Sequence, residues 1–96
     1  MDEIFPGKPA RSNNITTRFI GDEAVLMNLV TVKTYYLNET ASRIWSLIDG
    51  SRTIGSIIRE LTKQYDVPRD ECSDEVSQLL KSLGGEQLIH FIDEHA

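Results

Sequence analysis

Cysteine occurs once in the 96 residues, at Cys72. A single cysteine excludes an internal disulfide and a cysteine-based zinc cluster. Histidine is nearly as scarce: His90 and His95 are the two. Neither stands one helical turn from a second ligand type, so no metal site is expected. Long apolar runs are missing too, and none approaches the ~20 residues that span a bilayer. The N-terminal stretch MDEIFPGKPARSNN lacks the apolar segment of a secretory signal. A cytoplasmic protein is the expectation. Cations are outnumbered, 10 against 15 anions, for a net charge of −5. That deficit speaks against nucleic acid, where Lys and Arg must neutralise phosphates, and against an anionic membrane surface. No glycine-rich phosphate loop is present. The pair Gly84-Gly85 follows a helical pattern instead of opening one, which makes it a helix stop and a poor anion cradle.

What remains is an ordinary soluble composition, 40% hydrophobic and 26% charged, at a length that fits one domain. Residues 1–14 hold two of the three prolines and an Asn-Asn pair. They are expected to form a mobile arm with a short extended stretch at Ile4–Phe5. Ile15–Ile20 is β-branched and aromatic and reads as a strand, followed by a turn at Gly21-Asp22-Glu23. Ala24–Val30 alternates in part, with Val25, Met27 and Leu29 on one face and Asn28 turning the other toward water. Thr31-Val32-Lys33 is a short turn without the usual Gly or Asn. Thr34–Leu37 reads as a third strand, completing an antiparallel meander.

Then the period changes from two to 3.6. Asn38 is a good N-cap, with Glu39 in the first turn. Ala41, Ile44, Trp45 and Ile48 share one helical face, and Gly50 suits the position after a helix. Thr53 caps a second helix whose stripe is Ile54, Ile57, Ile58 and Leu61, extended by Tyr65. Pro68 is acceptable at the first position of a third helix, striped by Val76, Leu79, Leu80 and Leu83 and ended by the glycine pair. The tail Gln87–Ile92 reads as an extended segment, a strand returning to the sheet, with a last helical turn as the alternative. Three stripes of this width must pack on each other and on one sheet face. The expected fold is α+β and winged helix-turn-helix-like: a three-stranded antiparallel sheet followed by a three-helix bundle, over residues 15–92, with a tail at 93–96.

Chemistry is sparse. Cys72 near a helix start has no histidine nearby in sequence to act as a base. Asp70, Glu71, Asp74 and Glu75 crowd the first turns of the third helix, where carboxylates stabilise the helix dipole. Trp45 sits within an apolar stripe and is read as a core anchor. Tyr35 and Tyr36, being adjacent on a strand, face opposite ways: one inward, one available outside. No nucleophile, base and orienting group can be assembled, so the chain is read as a non-enzyme without cofactor. Between Arg69 and Lys81 the third helix carries two cations and four anions, which phosphates would repel. With DNA set aside, the useful element is the edge strand at Lys33–Leu37, whose open N–H and C=O groups can pair with an extended peptide.

One set of short stretches runs from Ala24 to about Phe91 and begins with Val25-Leu26-Met27. Tyr36-Leu37-Asn38-Glu39-Thr40-Ala41 then runs into Ile44-Trp45, and Leu47-Ile48-Asp49-Gly50 precedes Arg52-Thr53-Ile54 and Ile57-Ile58. Leu61, Tyr65-Asp66-Val67, Asp74-Glu75-Val76, Leu79-Leu80, Leu83 and Leu88-Ile89 complete the set. In this set the chain resembles the PqqD family, the small peptide chaperones of pyrroloquinoline quinone biosynthesis, and the related recognition elements for ribosomally made, modified peptides. The resemblance implies a non-catalytic domain that takes the leader of a precursor peptide as an added strand between the third strand and the third helix. It would present that leader to a modifying enzyme, often of the radical SAM type. By position, Lys33, Thr34, Tyr35, Tyr36 and Leu37 would line the groove on one side, and Asp74, Glu75, Gln78, Lys81 and Ser82 on the other. Ser56 stands where many relatives have Glu, leaving the capping box at Thr53 incomplete. The alternative is a scaffold subunit that binds a folded partner through the Leu88–Ile92 tail. A monomer is expected, with a weak dimer at high concentration through edge pairing.

Overall fold

Gly21 sits at φ +63 in the first central position of a two-residue hairpin loop, where a type II′ turn wants glycine. It joins strand β2 (Ile15–Ile20) to β3 (Glu23–Asn28), with Ile20 opposite Glu23. The computed structural model describes residues 7–92. The meander continues into β4 (Thr34–Tyr36), so the order is β2-β3-β4, all antiparallel. Helices α1 (Glu39–Ser46), α2 (Ile54–Gln64) and α3 (Arg69–Gly85) follow. The expected sheet-then-helices architecture stands.

The first correction concerns the N-terminal arm. Lys8–Arg11 is a strand, β1, paired antiparallel with β5 (Ile89–Ile92), Lys8 opposite Ile92 and Arg11 opposite Ile89. Pro9 and Ala10 are buried, and the Pro9 carbonyl accepts from the Gly50 N–H at 2.9 Å. Gly50 is itself at φ +83, and a Cβ there would stand 3.3 Å from both Ala10 and Ile92 side-chain carbons. Its glycine is thus required by the seam between the two termini, not by the end of α1, whose cap is Leu47. The Ile4–Phe5 stretch lies outside the described residues.

The second correction reverses the faces of β3. Ala24, Leu26 and Asn28 are buried, while Met27 and Leu29 are exposed. Asn28 points inward because its amide oxygen closes the β3–β4 turn, accepting from the N–H groups of Val30 (2.8 Å) and Thr31 (3.1 Å). This bonding holds Val32 at φ +64 in a turn that has no glycine. The strand ends at Asn28, two residues before the expected end.

Helix starts are chemically conventional. The Asn38 side chain accepts from the Ala41 N–H, and Thr53 from the Ser56 N–H. Pro68 is the N-cap of α3 and not its first helical residue, with ψ at 142. The glycine pair lies within α3, which runs on to a cap at Glu86.

The core gathers Leu26 from the sheet, Ile44, Trp45 and Ile48 from α1 and its exit, Ile57, Ile58 and Leu61 from α2, and Val76, Leu80 and Leu83 from α3. Leu79 is only half buried and turns toward the groove described below. One buried hydroxyl fixes the corner between sheet and bundle. Ser42 Oγ accepts from the Ala24 N–H at 2.7 Å and donates to the Asn38 carbonyl at 2.7 Å. Ser42→Ala should strand that buried N–H and cost about 1–3 kcal/mol, read as a lower urea midpoint with unchanged slope. An unchanged midpoint would show the rung to be dispensable.

Candidate functional site: a sheet edge beside the third helix

The free edge of β4 can be read atom by atom. The bonded rungs to β3 are the Asn28 N–H to the Lys33 carbonyl and the Leu37 N–H to the Ala24 carbonyl, both 2.9 Å. Antiparallel alternation makes Leu26 and Tyr35 the bonded pair between them. The N–H and C=O groups of Thr34 and Tyr36 therefore point away from β3, toward an edge with no neighbouring strand among the described residues. The expected site residues divide by function. Thr34 and Tyr36 carry the open backbone, while Tyr35, the Lys33 carbonyl and the Leu37 N–H are spent on β3; the Lys33 N–H donates to Thr31 Oγ1 and the Leu37 carbonyl accepts from Ser42 Oγ. Tyr36 is 78% exposed on the outer face. Tyr35 turns inward and packs against the core, as does Leu37.

Two side chains of this strand converge on the end of α3. The Tyr35 hydroxyl donates to Glu86 Oε1 at 2.9 Å, and Lys33 Nζ stands 3.5 Å from the same oxygen. The Lys33 ammonium also lies 5.9 Å from the Tyr35 ring centre. The Tyr35 hydroxyl, helped by the Lys33 charge, holds the Glu86 carboxyl below its ordinary value, and the carboxylate in turn pushes the Tyr35 phenol up. The Glu86 contribution is therefore present above the ordinary glutamate range and fades as pH falls through its lowered value. Tyr35→Phe should move the Glu86 titration upward, followed by carbon NMR of its carboxyl. A midpoint that stays put would remove the hydroxyl as the cause.

Along α3 from Glu86, the positions Ser82, Leu79 and Glu75 recur on one face. Glu75, Gln78, Leu79 and Ser82 form one wall of a cavity of about 320 Å³, and Asn38, Thr40, Ala41 and Ile44 form the other. Thus Glu75, Gln78 and Ser82 share one wall, and the residues across from them belong to α1 and its cap, not to Lys33–Leu37. Asp74 and Lys81 are exposed and do not line this cavity, being rotated along the helix from the Glu75–Ser82 face. The start of α1 and Leu79 were read only as a helix cap and a core stripe, and Glu86 was given no role; the spacing 75, 79, 82, 86 was its signal, hidden because the glycine pair was taken as the helix stop.

Burial among apolar neighbours pushes the Cys72 thiol up, the nearby Glu75 adding to it, so its thiolate is disfavoured. Among the described residues no group of His, Cys, Asp and Glu is placed to hold a metal ion, and no helix is long and apolar enough to cross a membrane.

Comparison with known proteins decides the family. Residues 23–89, more than half of the chain, match the model of coenzyme PQQ synthesis protein D (PqqD). The chain belongs to the PqqD family. Two curated relatives are named PqqA binding protein. The one from Gluconobacter oxydans is 31% identical over 58 residues, 60% of each chain. The one from Pseudomonas putida is 43% identical over 54 residues, 55% of this chain and 57% of the relative. The match thus spans about 60% of the length of these relatives. Among solved structures, TbiB1 in complex with the TbiA(beta) leader peptide superposes with a TM-score of 0.80 at 26% identity, over 88% of this chain and 99% of TbiB1. Lasso peptide synthetase B1, complexed with its leader peptide, shares the fold, with a TM-score of 0.77 at 19% identity over 86% of this chain and 98% of that one.

Proposed function

We propose that this PqqD-family chain is a non-catalytic recognition protein. It takes the leader of a ribosomally made precursor peptide as an added strand on β4 and presents it to a modifying enzyme, with a radical SAM enzyme the first partner to test. The observation that carries this is the open backbone of Thr34 and Tyr36 on a strand tied through Tyr35 to Glu86 at the end of α3, with a groove between α1 and α3 that begins at Asn38. An edge strand supplies main-chain affinity, and adjacent side-chain pockets supply specificity. The names of the relatives support it: two are PqqA binding proteins, and TbiB1 is a leader-peptide complex. The scaffold alternative relies on Leu88–Ile92, where Leu88 and Ile89 are buried and β5 is paired with β1, leaving His90 and Ile92 as its exposed residues.

Calorimetric titration with synthetic Pseudomonas putida PqqA and with the TbiA(beta) leader checks the proposal. Saturable one-to-one binding of either is the expected outcome. Absence of heat and of any amide shift with both peptides would count against a leader-binding role.

A further inference from the structure

The groove beside β4 does not end where the strand does. A second cavity, about 380 Å³, opens between the three helices and shares Thr40, Ile44 and Glu75 with the first. Its floor is apolar: Ile44, Leu61, Cys72 and Val76, all buried. Its rim is acidic, with Glu39, Glu71 and Glu75 against one cation, Arg43, among the lining residues. Arg43 is already engaged. It pairs with Glu39 and lies 4.4 Å from the Tyr65 ring centre. Glu71 and Glu75, both exposed, face the opening.

Resting on the leader-binding reading, we infer that this second cavity is a subsite for a lysine or arginine side chain of the same bound peptide, outside its strand-paired segment. A long basic side chain fits both halves of the site, laying its methylene stem on the apolar floor and its charge at the carboxylate rim. A metal ion fits neither the floor nor the donor set, since no metal-holding group exists among the described residues. Continuity supplies the path. A chain leaving the edge at Tyr36 passes the start of α1 and the first cavity before reaching the second. From Ser82 to Glu71 the helix rises about 16 Å, which an extended peptide covers in about five residues. The basic residue should therefore stand about that far beyond the residues paired with β4.

The subsite can be tested apart from the strand. Nα-acetyl-lysine N-methylamide, titrated into the full chain, should shift the amides of Glu71, Cys72 and Glu75. It should bind roughly threefold or more tightly than the uncharged norleucine analogue. In a Glu71→Gln, Glu75→Gln double variant that preference should vanish while the fold, judged by the remaining amide spectrum, persists. Equal response to the two compounds, or a preference that survives the double variant, would overturn the subsite. Binding of the lysine derivative without binding of PqqA or TbiA(beta) would keep the subsite and sink the strand reading. The reverse pattern would do the opposite.

Discussion

Trp45→Ala should lower stability by about 3–5 kcal/mol, the largest loss expected from any single truncation in the chain. Trp45 is fully buried in the cluster that joins the sheet to all three helices. Its Nε1–H donates to Thr17 Oγ1 at 3.0 Å, tying α1 to β2. Its outer ring face is covered by Arg11, whose guanidinium carbon is 5.1 Å from the ring centre and whose Nη2 donates to the Trp45 carbonyl at 3.0 Å. Truncation would thus open the core, free Thr17 and release the support of β1 together. Domains of this kind have only about 5–15 kcal/mol in total, so the variant should be close to unfolding at ambient temperature. Urea denaturation followed by circular dichroism reads this, because Trp45 is the sole tryptophan and its fluorescence is lost with it. A midpoint near that of the parent would mean the cluster is not the keystone of the fold.

Thr34→Pro should weaken leader binding roughly 10- to 100-fold while leaving the fold in place. The Thr34 N–H points to the open edge, so proline there removes no rung to β3 and deletes one donor to an added strand. A peptide carbonyl is then buried without a partner, which costs more than the bond itself contributes. Tyr35→Pro is the contrasting case: it would break the rung with Leu26 and loosen the sheet itself. Phe19→Pro on the opposite edge, β2, serves as the control. Phe19 is exposed and its backbone faces away from β3, so its replacement should leave affinity unchanged. Equal losses from Thr34→Pro and Phe19→Pro would point to general disturbance and not to a specific edge.

The three helices were legible because each repeats apolar residues at the 3.6 period, with a capping side chain opening α1 and α2 and Pro68 opening α3. Ile44, Trp45 and Ile48, then Ile57, Ile58 and Leu61, then Val76, Leu80 and Leu83, all lie in the core. The β1–β5 pair was not legible. Its strands stand at opposite ends of the described chain, and Pro9-Ala10 buries two successive residues where alternation would have flagged a strand. Asn28 misled because a polar residue in a strand usually marks the wet face, whereas here its amide serves a tight turn from inside. On the candidate site, the family resemblance pointed to one strand and one helix, and single-residue geometry sorts the residues on them. Register separates Thr34 and Tyr36 from Lys33, Tyr35 and Leu37. Helix rotation separates Glu75, Gln78 and Ser82 from Asp74 and Lys81. Neither property is carried by residue type alone.

Amide hydrogen exchange reports whether the β4 edge receives the leader as a strand. On adding a saturating leader peptide, the Thr34 and Tyr36 amides should slow markedly, while those of Tyr35 and Leu37, already bonded within the sheet, should change little. Binding that leaves Thr34 and Tyr36 exchanging freely, or that protects the β2 edge instead, would rule out strand addition at β4.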